Sequence, residues 1–265
     1  MSGSLENLKI EAVEFVKKYF EKNGTPSTKA VIGISGGKDS AVVAALCCEA
    51  LGKDRVIGVM MPNGIQKDIS DSKRVCEFLG IKNYTININE PYKAMHDSVL
   101  KEISADSNGK ITETPAQFNT NVPARLRMVT LYGVAAMLGD ARISCNGNLS
   151  ERLAGFFTLW GDGAGDFAPL AYLFVEEVIQ LGLQLGLPED MVRKAPSDGM
   201  CGMTDEEKLG FTYKELQLVA NGKTDEVEKS KAEIIQKRFD SFVWKRKLLN
   251  LPSFIPSFKN ASDWD

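Results

Sequence analysis

The stretch of sequence that decides the fold is VIGISGGKDSAVVAALC, from Val31 to Cys47. Its first residues are apolar and β-branched, as in a buried strand, and its last residues have the apolar spacing of a helix packed on a sheet. Between them lies the polar corner Ser35–Ser40, which contains two glycines, two serines, a lysine and an aspartate. A strand followed at once by a helix is typical of a parallel α/β sheet.

The composition of this corner favours an anionic ligand. Ligands of open parallel sheets bind beyond the carboxyl ends of the strands, and the helix that follows presents backbone N–H groups to anions. Gly36 and Gly37 let the backbone approach a phosphate closely and take positive φ where required. The corner is not a Walker A loop, because Asp39 follows the lysine, and not a dinucleotide fingerprint, because Ser35 replaces its second glycine.

The aspartate of the corner points to a metal ion. A carboxylate beside a phosphate is repulsive unless a divalent cation lies between them. We therefore predict Mg²⁺ at Asp39. The alternative is that Asp39 only stabilises the first turn of the helix through its charge.

Strand and helix patterns alternate outward from the corner. We predict strands over Ala30–Ile34, Arg55–Met61, Tyr84–Ile88 and Ala141–Cys145, with helices between them. This order predicts an α/β fold, an open parallel twisted sheet with helices on both faces. We also expect a surface loop over Ser104–Phe118, and a long helix that has Pro123 in its first turn and ends at Gly139.

Composition narrows the class of protein. The chain has 265 residues, 43% hydrophobic and 25% charged, which is enough for a full core, and no linker divides it, so we expect a single domain over residues 1–265. The net charge is −3 with the basic residues dispersed, which disfavours a nucleic acid partner. No apolar run approaches the roughly 20 residues that span a membrane. Five cysteines without a CxxC spacing and the lack of a signal peptide favour a cytoplasmic location.

The chain contains one histidine, His96, which lies apart from every motif. A Ser-His or Cys-His catalytic pair and a histidine-rich zinc site are therefore disfavoured. We expect His96 to be structural or exposed.

The corner and four later stretches carry a family resemblance. The pattern S-G-G-x-D-S resembles the pyrophosphate-binding loop of the ATP pyrophosphatase superfamily. In chain order, further stretches similar to NAD synthetases lie at Met61–Ser72, Asn121–Met128, Asn146–Leu170 and Lys194–Leu216. The resemblance runs from about Leu5 to Pro252 and leaves no room for a glutaminase domain. It implies ammonia-dependent amidation of deamido-NAD to NAD through an adenylated carboxylate, with ATP consumed and AMP and pyrophosphate released.

The resemblance also implies roles for individual residues. Catalysis would involve Ser35, Lys38 and Asp39. The expected ATP-binding residues are Gly33, Ile34, Ser35, Gly36, Gly37, Lys38, Asp39, Ser40, Asn146 and Ser197. Deamido-NAD is expected to contact Arg125, Asp166 and Lys245. Asp39 and Glu151 would hold Mg²⁺. The resemblance further implies a homodimer, with the long helix after Pro123 near the interface.

The sequence departs from the family pattern at two positions and leaves two other functions open. Leu159 and Val175 stand where the family has basic residues, and Arg152, Arg193 or Lys194 could compensate. One alternative is a tRNA-modifying ATP pyrophosphatase, which would usually bring CxxC cysteines or a basic surface. The other is a non-catalytic nucleotide-binding regulator, which Leu159 and Val175 would support.

Overall fold

The computed structural model describes residues 5–66, 69–106, 113–194, 205–260 and 262. The strands are β1 (Lys29–Gly33), β2 (Val56–Met60), β3 (Lys82–Thr85) and β4 (Ala141–Ile143). The helices are α1 (Leu8–Asn23), α2 (Lys38–Leu51), α3 (Ile69–Leu79), α4 (Asn89–Asp106), α5 (Ala116–Leu138), α6 (Leu149–Ala154), α7 (Val175–Gln184), α8 (Glu189–Val192), α9 (Asp205–Leu209), α10 (Tyr213–Ala220), α11 (Lys229–Ser241) and α12 (Val243–Lys247).

Within the described part of the chain, the four strands form one parallel sheet in the order β3-β2-β1-β4. The chain moves outward from β1 to β3 and then returns through α5 to β4, on the other side of β1. Val31 lies in register with Ile57 on one side and Ile143 on the other. The direction of the strand order therefore reverses between β1 and β4, and ligands of open sheets bind at such a point.

Helices cover both faces of the sheet, which confirms the predicted fold class. Successive residues of β1 and β2 point to opposite faces. On one face, Ile32 and Val56 pack in a core with α1, α2 and α7. On the other, Val31 and Ile57 pack against Met128 and neighbouring residues of α5. A further buried cluster joins α6 to α10 and α11 beyond the end of β4.

Helix α2 is buried over most of its length between the sheet and the helices α1 and α7, and it contains several small side chains. Every residue from Ala41 to Cys47 is at most 5% exposed. Alanine favours helix formation and lets neighbouring elements approach closely. The start of this helix is thereby fixed against the sheet, and with it the corner Ser35–Ser40.

The prediction for α5 was wrong at its beginning. The helix starts at Ala116 after Pro115, so Pro123 lies inside it and not in its first turn. Proline has no N–H to donate, and the helix accommodates the lost bond while the ring is buried. The predicted loop Ser104–Phe118 was also wrong at both ends, because its first residues belong to α4 and its last to α5. Residues 107–112 lie outside the described residues, and the predicted end at Gly139 is confirmed.

Strand β3 begins and ends earlier than the apolar pattern indicated. The pattern predicted Tyr84–Ile88, whereas the paired residues are Lys82–Thr85. The backbone N–H groups of Ile86 and Ile88 still donate to Met60 O, at the end of β2, and to Pro62 O just after it, both at 2.9 Å. Their side chains pack with the α5 core, so the apolar pattern reported burial and not strand pairing.

None of the helices in the described residues is both long enough and apolar enough to cross a membrane.

Candidate active site at the carboxyl edge of the sheet

The loop after β1 folds back on itself at the start of α2. Gly36 has φ 85°, and a Cβ there would lie 3.0 Å from the backbone nitrogen of Ser72, so glycine is required on both grounds. Gly37 has φ −83° and does not use that freedom. The Ser35 backbone N–H donates to Ser40 Oγ at 3.3 Å, and the Gly37 N–H donates to Ser35 Oγ at 3.2 Å.

Lys38 and Asp39 form a partly buried ion pair at the first turn of α2. Lys38 is 4% exposed, and its Nζ donates to Asp39 Oδ2 at 2.9 Å. The other carboxylate oxygen, Oδ1, accepts a hydrogen bond from Asn148 Nδ2 at 3.0 Å. Asp39 is therefore oriented from both sides.

Asn148 connects this aspartate to Glu151. Asn148 caps α6, because its Oδ1 accepts from the Glu151 N–H at 3.1 Å while its own N–H donates to Glu151 Oε2 at 3.0 Å. Its side chain is fully buried. The sequence predictions gave Asn148 no role, although the spacing Asn-x-x-Glu is the signature of a capping box. The structure thus brings Asp39 and Glu151 together through Asn148, and their binding of Mg²⁺ stays a prediction.

The two carboxylates face each other without full compensation. Burial, followed by the negative charge of Asp39, raises the pKa of Glu151 well above its usual range, while Lys38 lowers it. A divalent cation between the carboxylates would remove this repulsion. No group of three or more His, Cys, Asp or Glu able to hold a metal is found in the part of the chain that the structure describes. Two carboxylates suit Mg²⁺, which keeps several waters and takes phosphate oxygens as further ligands.

Of the two predicted ATP-binding residues after the loop, the structure describes Asn146. Asn146 Nδ2 donates to Gly33 O at 3.0 Å, and its Oδ1 accepts from Ser144 Oγ at 2.7 Å. It therefore ties the end of β4 to the end of β1, at the edge that carries the phosphate loop. Ser197 lies outside the described residues.

Asp166, expected to contact deamido-NAD, has internal partners in the structure. Its Oδ2 accepts from the Ile143 N–H at 2.8 Å and its Oδ1 from the Tyr132 hydroxyl at 3.1 Å. Burial, together with the charge of Asp166, raises the pKa of Tyr132 to about 12. Asp166 therefore joins β4 to α5.

Lys245, also expected to contact deamido-NAD, has partners of its own. Its Nζ donates to Gly155 O at 2.9 Å and also to Phe157 O, and lies 4.1 Å from the centre of the Phe157 ring. Burial lowers the pKa of Lys245, while the negative charge of Asp162 opposes that shift. The ammonium group thus holds the chain that follows α6.

Arg125 is exposed and lines a cavity between α4 and the start of α5. Its Nε donates to Leu159 O at 3.2 Å. The cavity has a volume of about 390 Å³, and His96, Phe118 and Asn121 also line it. His96 therefore lies beside a predicted substrate contact, although its sequence position gave no sign of this. Its Nε2 is 2.6 Å from Thr114 Oγ1.

The neighbouring Arg127 is partly buried and contacts the chain after β2. Its Nε donates to Met61 O at 3.1 Å.

Three cations could replace the basic residues missing at Leu159 and Val175, and they differ in their ion-pair and hydrogen-bond partners. Lys194 pairs with Asp71, and Arg193 pairs with Glu189 at 2.8 Å. Arg152 is 9% exposed, and among the described residues its Nε and Nη2 have no hydrogen-bond partner. Arg152 follows Glu151 directly on α6, so this cation lies at the same end of the sheet.

Known proteins are similar to this chain in sequence and in fold. A sequence profile of the NAD synthase family matches residues 9–249. The NH₃-dependent NAD⁺ synthetase of Pyrococcus furiosus is 40% identical over 214 residues, which cover 80% of this chain and 76% of that protein. The NMN synthetase of Francisella tularensis superposes with a TM-score of 0.80 at 32% identity, over 96% of this chain and 99% of that one. The NH₃-dependent NAD synthetase of Campylobacter jejuni gives a TM-score of 0.71 at 27% identity, over 91% and 96%.

Proposed function

This chain belongs to the NAD synthase family, and we propose that it catalyses the ATP-dependent amidation of deamido-NAD with ammonia to NAD. The observation that carries the proposal is the unit Asp39–Asn148–Glu151, which holds two carboxylates from neighbouring strand ends beside a glycine loop. Carboxylates in that position repel a nucleotide unless a cation accompanies it. The site is therefore suited to ATP with Mg²⁺.

The residues at the carboxyl edge of the sheet have different roles in the proposed reaction. The loop Ser35–Ser40 and the start of α2 bind the pyrophosphate part of ATP, and Gly33 and Ile34 form the approach to it. Lys38, held next to Asp39, stabilises the negative charge that develops on pyrophosphate as it leaves. Bound Mg²⁺ would neutralise phosphate charge and align the α-phosphate. The substrate carboxylate attacks that phosphorus, pyrophosphate leaves, and ammonia then displaces AMP from the adenylate.

A second candidate is amidation of nicotinate mononucleotide by the same site. The NMN synthetase of Francisella tularensis matches this chain over nearly its whole length. In addition, Asp166 and Lys245, expected to bind the dinucleotide, are both engaged in internal hydrogen bonds. The smaller nucleotide would not require either contact.

One product assay tests these functions together. The purified protein is incubated with ATP, Mg²⁺ and ammonium, and with either deamido-NAD or nicotinate mononucleotide, and AMP and amide products are separated by chromatography. The proposal predicts AMP and NAD in equal amounts with deamido-NAD, and neither product from the Glu151→Gln variant. Faster turnover of the mononucleotide would favour the second candidate. A nucleotide-binding regulator would give no AMP with either substrate, and a tRNA-modifying enzyme would form AMP only when tRNA is supplied.

We also propose a homodimer through α4 and α5. None of the 18 residues of α4 is buried. Val129 and Met137 of α5 are 67% and 90% exposed. Apolar surface of this kind is typical of a protein interface. Sedimentation of the wild type as a dimer, and of Met137→Glu as a monomer, would support the proposal; a monomeric wild type would contradict it.

We propose a cytoplasmic location, which the free cysteines support: Cys47, Cys48, Cys76 and Cys145 form no disulfide.

A further inference from the structure

Trp160 has an unusual backbone and an unusual environment. Its φ is 62°, and among the described residues it alone combines positive φ with a side chain. This region is sparsely populated for bulky residues and is readily adopted by glycine. The indole is nevertheless 60% exposed, so burial of the ring does not account for tryptophan at this position.

The conformation of Trp160 is set by its neighbours in the turn. The Thr158 N–H donates to Asp162 Oδ1 at 2.8 Å, and the Gly161 N–H donates to Thr158 O at 2.9 Å. A Cβ on Gly161 would lie 3.0 Å from the side chain of Ala124, so the turn is pressed against α5. Strained residues that the surrounding structure holds in place are concentrated at functional sites.

The same turn connects the α4/α5 cavity to the reacting edge. On the cavity side, the Thr158 hydroxyl donates to Asn121 Oδ1 at 2.9 Å, and Arg125 Nε donates to Leu159 O at 3.2 Å. Asn121 and Arg125 both line the cavity. On the other side, Asp162 O accepts a hydrogen bond from Cys145 Sγ at 3.4 Å, and Cys145 lies just after β4 at the carboxyl edge of the sheet. Trp160 therefore projects from the segment that lies between the cavity and the metal-binding pair.

We infer that the exposed indole of Trp160 is the surface on which the pyridine ring of the nicotinate substrate stacks. The inference rests on the proposed function, because only that reaction brings an electron-poor pyridine ring to this edge. An indole offers an electron-rich face to such a ring.

Kinetics of Trp160→Gly separate this role from a structural one. Glycine accepts the backbone conformation, so the variant should melt at the same temperature as the wild type or higher. Loss of a stacking partner should raise KM for deamido-NAD about tenfold or more and leave KM for ATP unchanged. Trp160→Phe should restore most of the affinity. Phe78→Ala, which removes an aromatic ring 50% exposed on α3, is the matched control and should change neither constant.

Fluorescence measures the contact without turnover. Deamido-NAD and nicotinate mononucleotide, each added without ATP, should quench the wild type, and the quenching should disappear in Trp160→Phe. Quenching that persists in Trp160→Phe, or an unchanged KM in Trp160→Gly, would overturn the inference. So would a shift of Trp160→Gly from dimer to monomer in sedimentation, which would place a second copy over the indole. Failure of the proposed function is a separate result, since the wild type would then form no amide from either nucleotide.

Discussion

The edge of the sheet between β1 and β4 and the cavity between α4 and α5 are built in opposite ways. At the edge, the two carboxylates have fixed partners: Asp39 is bound by Lys38 and Asn148, and Glu151 is bound by Asn148. Around the cavity, α4 has no buried residue, and Arg125 is exposed. One region is organised before any ligand arrives, and the other is left open.

The difference separates the two tasks of the proposed reaction. Charge stabilisation during phosphoryl chemistry requires groups that do not reorganise as the reaction proceeds, and the edge provides them. Recognition of a large nucleotide requires accessible surface, and the α4/α5 side provides that. Substitutions at the edge should therefore lower turnover, whereas substitutions near the cavity should weaken substrate binding.

The largest effect is expected from Asp39→Asn. Asparagine keeps the size of the side chain and removes the charge that would hold Mg²⁺, so kcat should fall by at least about 100-fold. The melting temperature should fall only modestly, because the buried Lys38 ammonium loses its paired charge while Glu151 loses a repulsive one. Asp54→Asn is the control, because Asp54 is exposed and lies just before β2, at the amino end of that strand. Wild-type turnover in Asp39→Asn would remove the proposed distinction between the two regions.

The next effect should come from Asn148, which orients both carboxylates. Asn148→Ser keeps an N-cap but loses the bond to Asp39, so the Mg²⁺ concentration needed for half-maximal activity should rise about tenfold or more. Asn148→Ala should lose the cap as well and destabilise the protein by about 1 kcal/mol. The Mg²⁺ requirement is measured from activity at increasing Mg²⁺ concentration, and the loss of stability is measured by urea denaturation. An equal Mg²⁺ requirement in wild type and Asn148→Ser would show that the link to Asp39 is not needed.

Arg125→Ala tests the open region. The exposed guanidinium lines the cavity, so its loss should raise KM for deamido-NAD by about tenfold, the usual scale for one charge-assisted hydrogen bond, and leave kcat nearly unchanged. KM for ATP is the internal control. Equal increases in both KM values would mean that Arg125 serves the edge as well as the cavity.

The smallest effect is the pH dependence of stability from Glu151. Its pKa is raised in the folded protein, so its contribution to stability is complete below its ordinary pKa and is lost as pH rises through the raised value. Without Mg²⁺ and ATP, the melting temperature should therefore fall with rising pH over this range. Glu151→Gln should flatten the curve, and so should Mg²⁺ with ATP. A wild-type curve that matches Glu151→Gln would show that neither burial nor the charge of Asp39 raises the pKa of Glu151 in the folded protein.

The sequence predicted the edge between β1 and β4 better than the cavity between α4 and α5. The strand, the glycine corner and Asp39 occupy adjacent positions, so local pattern sufficed to place them. Glu151 was paired with Asp39 through the family resemblance, and the structure places both residues after strands of one parallel sheet. Asn148 was missed, since its bond to Asp39 spans 109 positions and only the cap spacing marks it.

The rest of the candidate site depends on contacts between residues that are distant in sequence, which local patterns do not reveal. The helix α5 begins seven residues before Pro123, where no apolar period announces it. The internal partners of Asp166 and Lys245 are distant in sequence, so family position alone could not reveal them. The positive φ of Trp160 was not predicted, because it belongs to a turn that the Thr158–Asp162 hydrogen bond holds and that packs against α5 at Gly161.

The most direct test of the metal-binding edge is a calorimetric titration of ATP, with and without Mg²⁺, into the wild type and the Asp39→Asn/Glu151→Gln double variant. We predict that Mg²⁺ tightens ATP binding to the wild type at least about tenfold, and that the double variant gains nothing from it. The same gain from Mg²⁺ in both proteins would contradict the account.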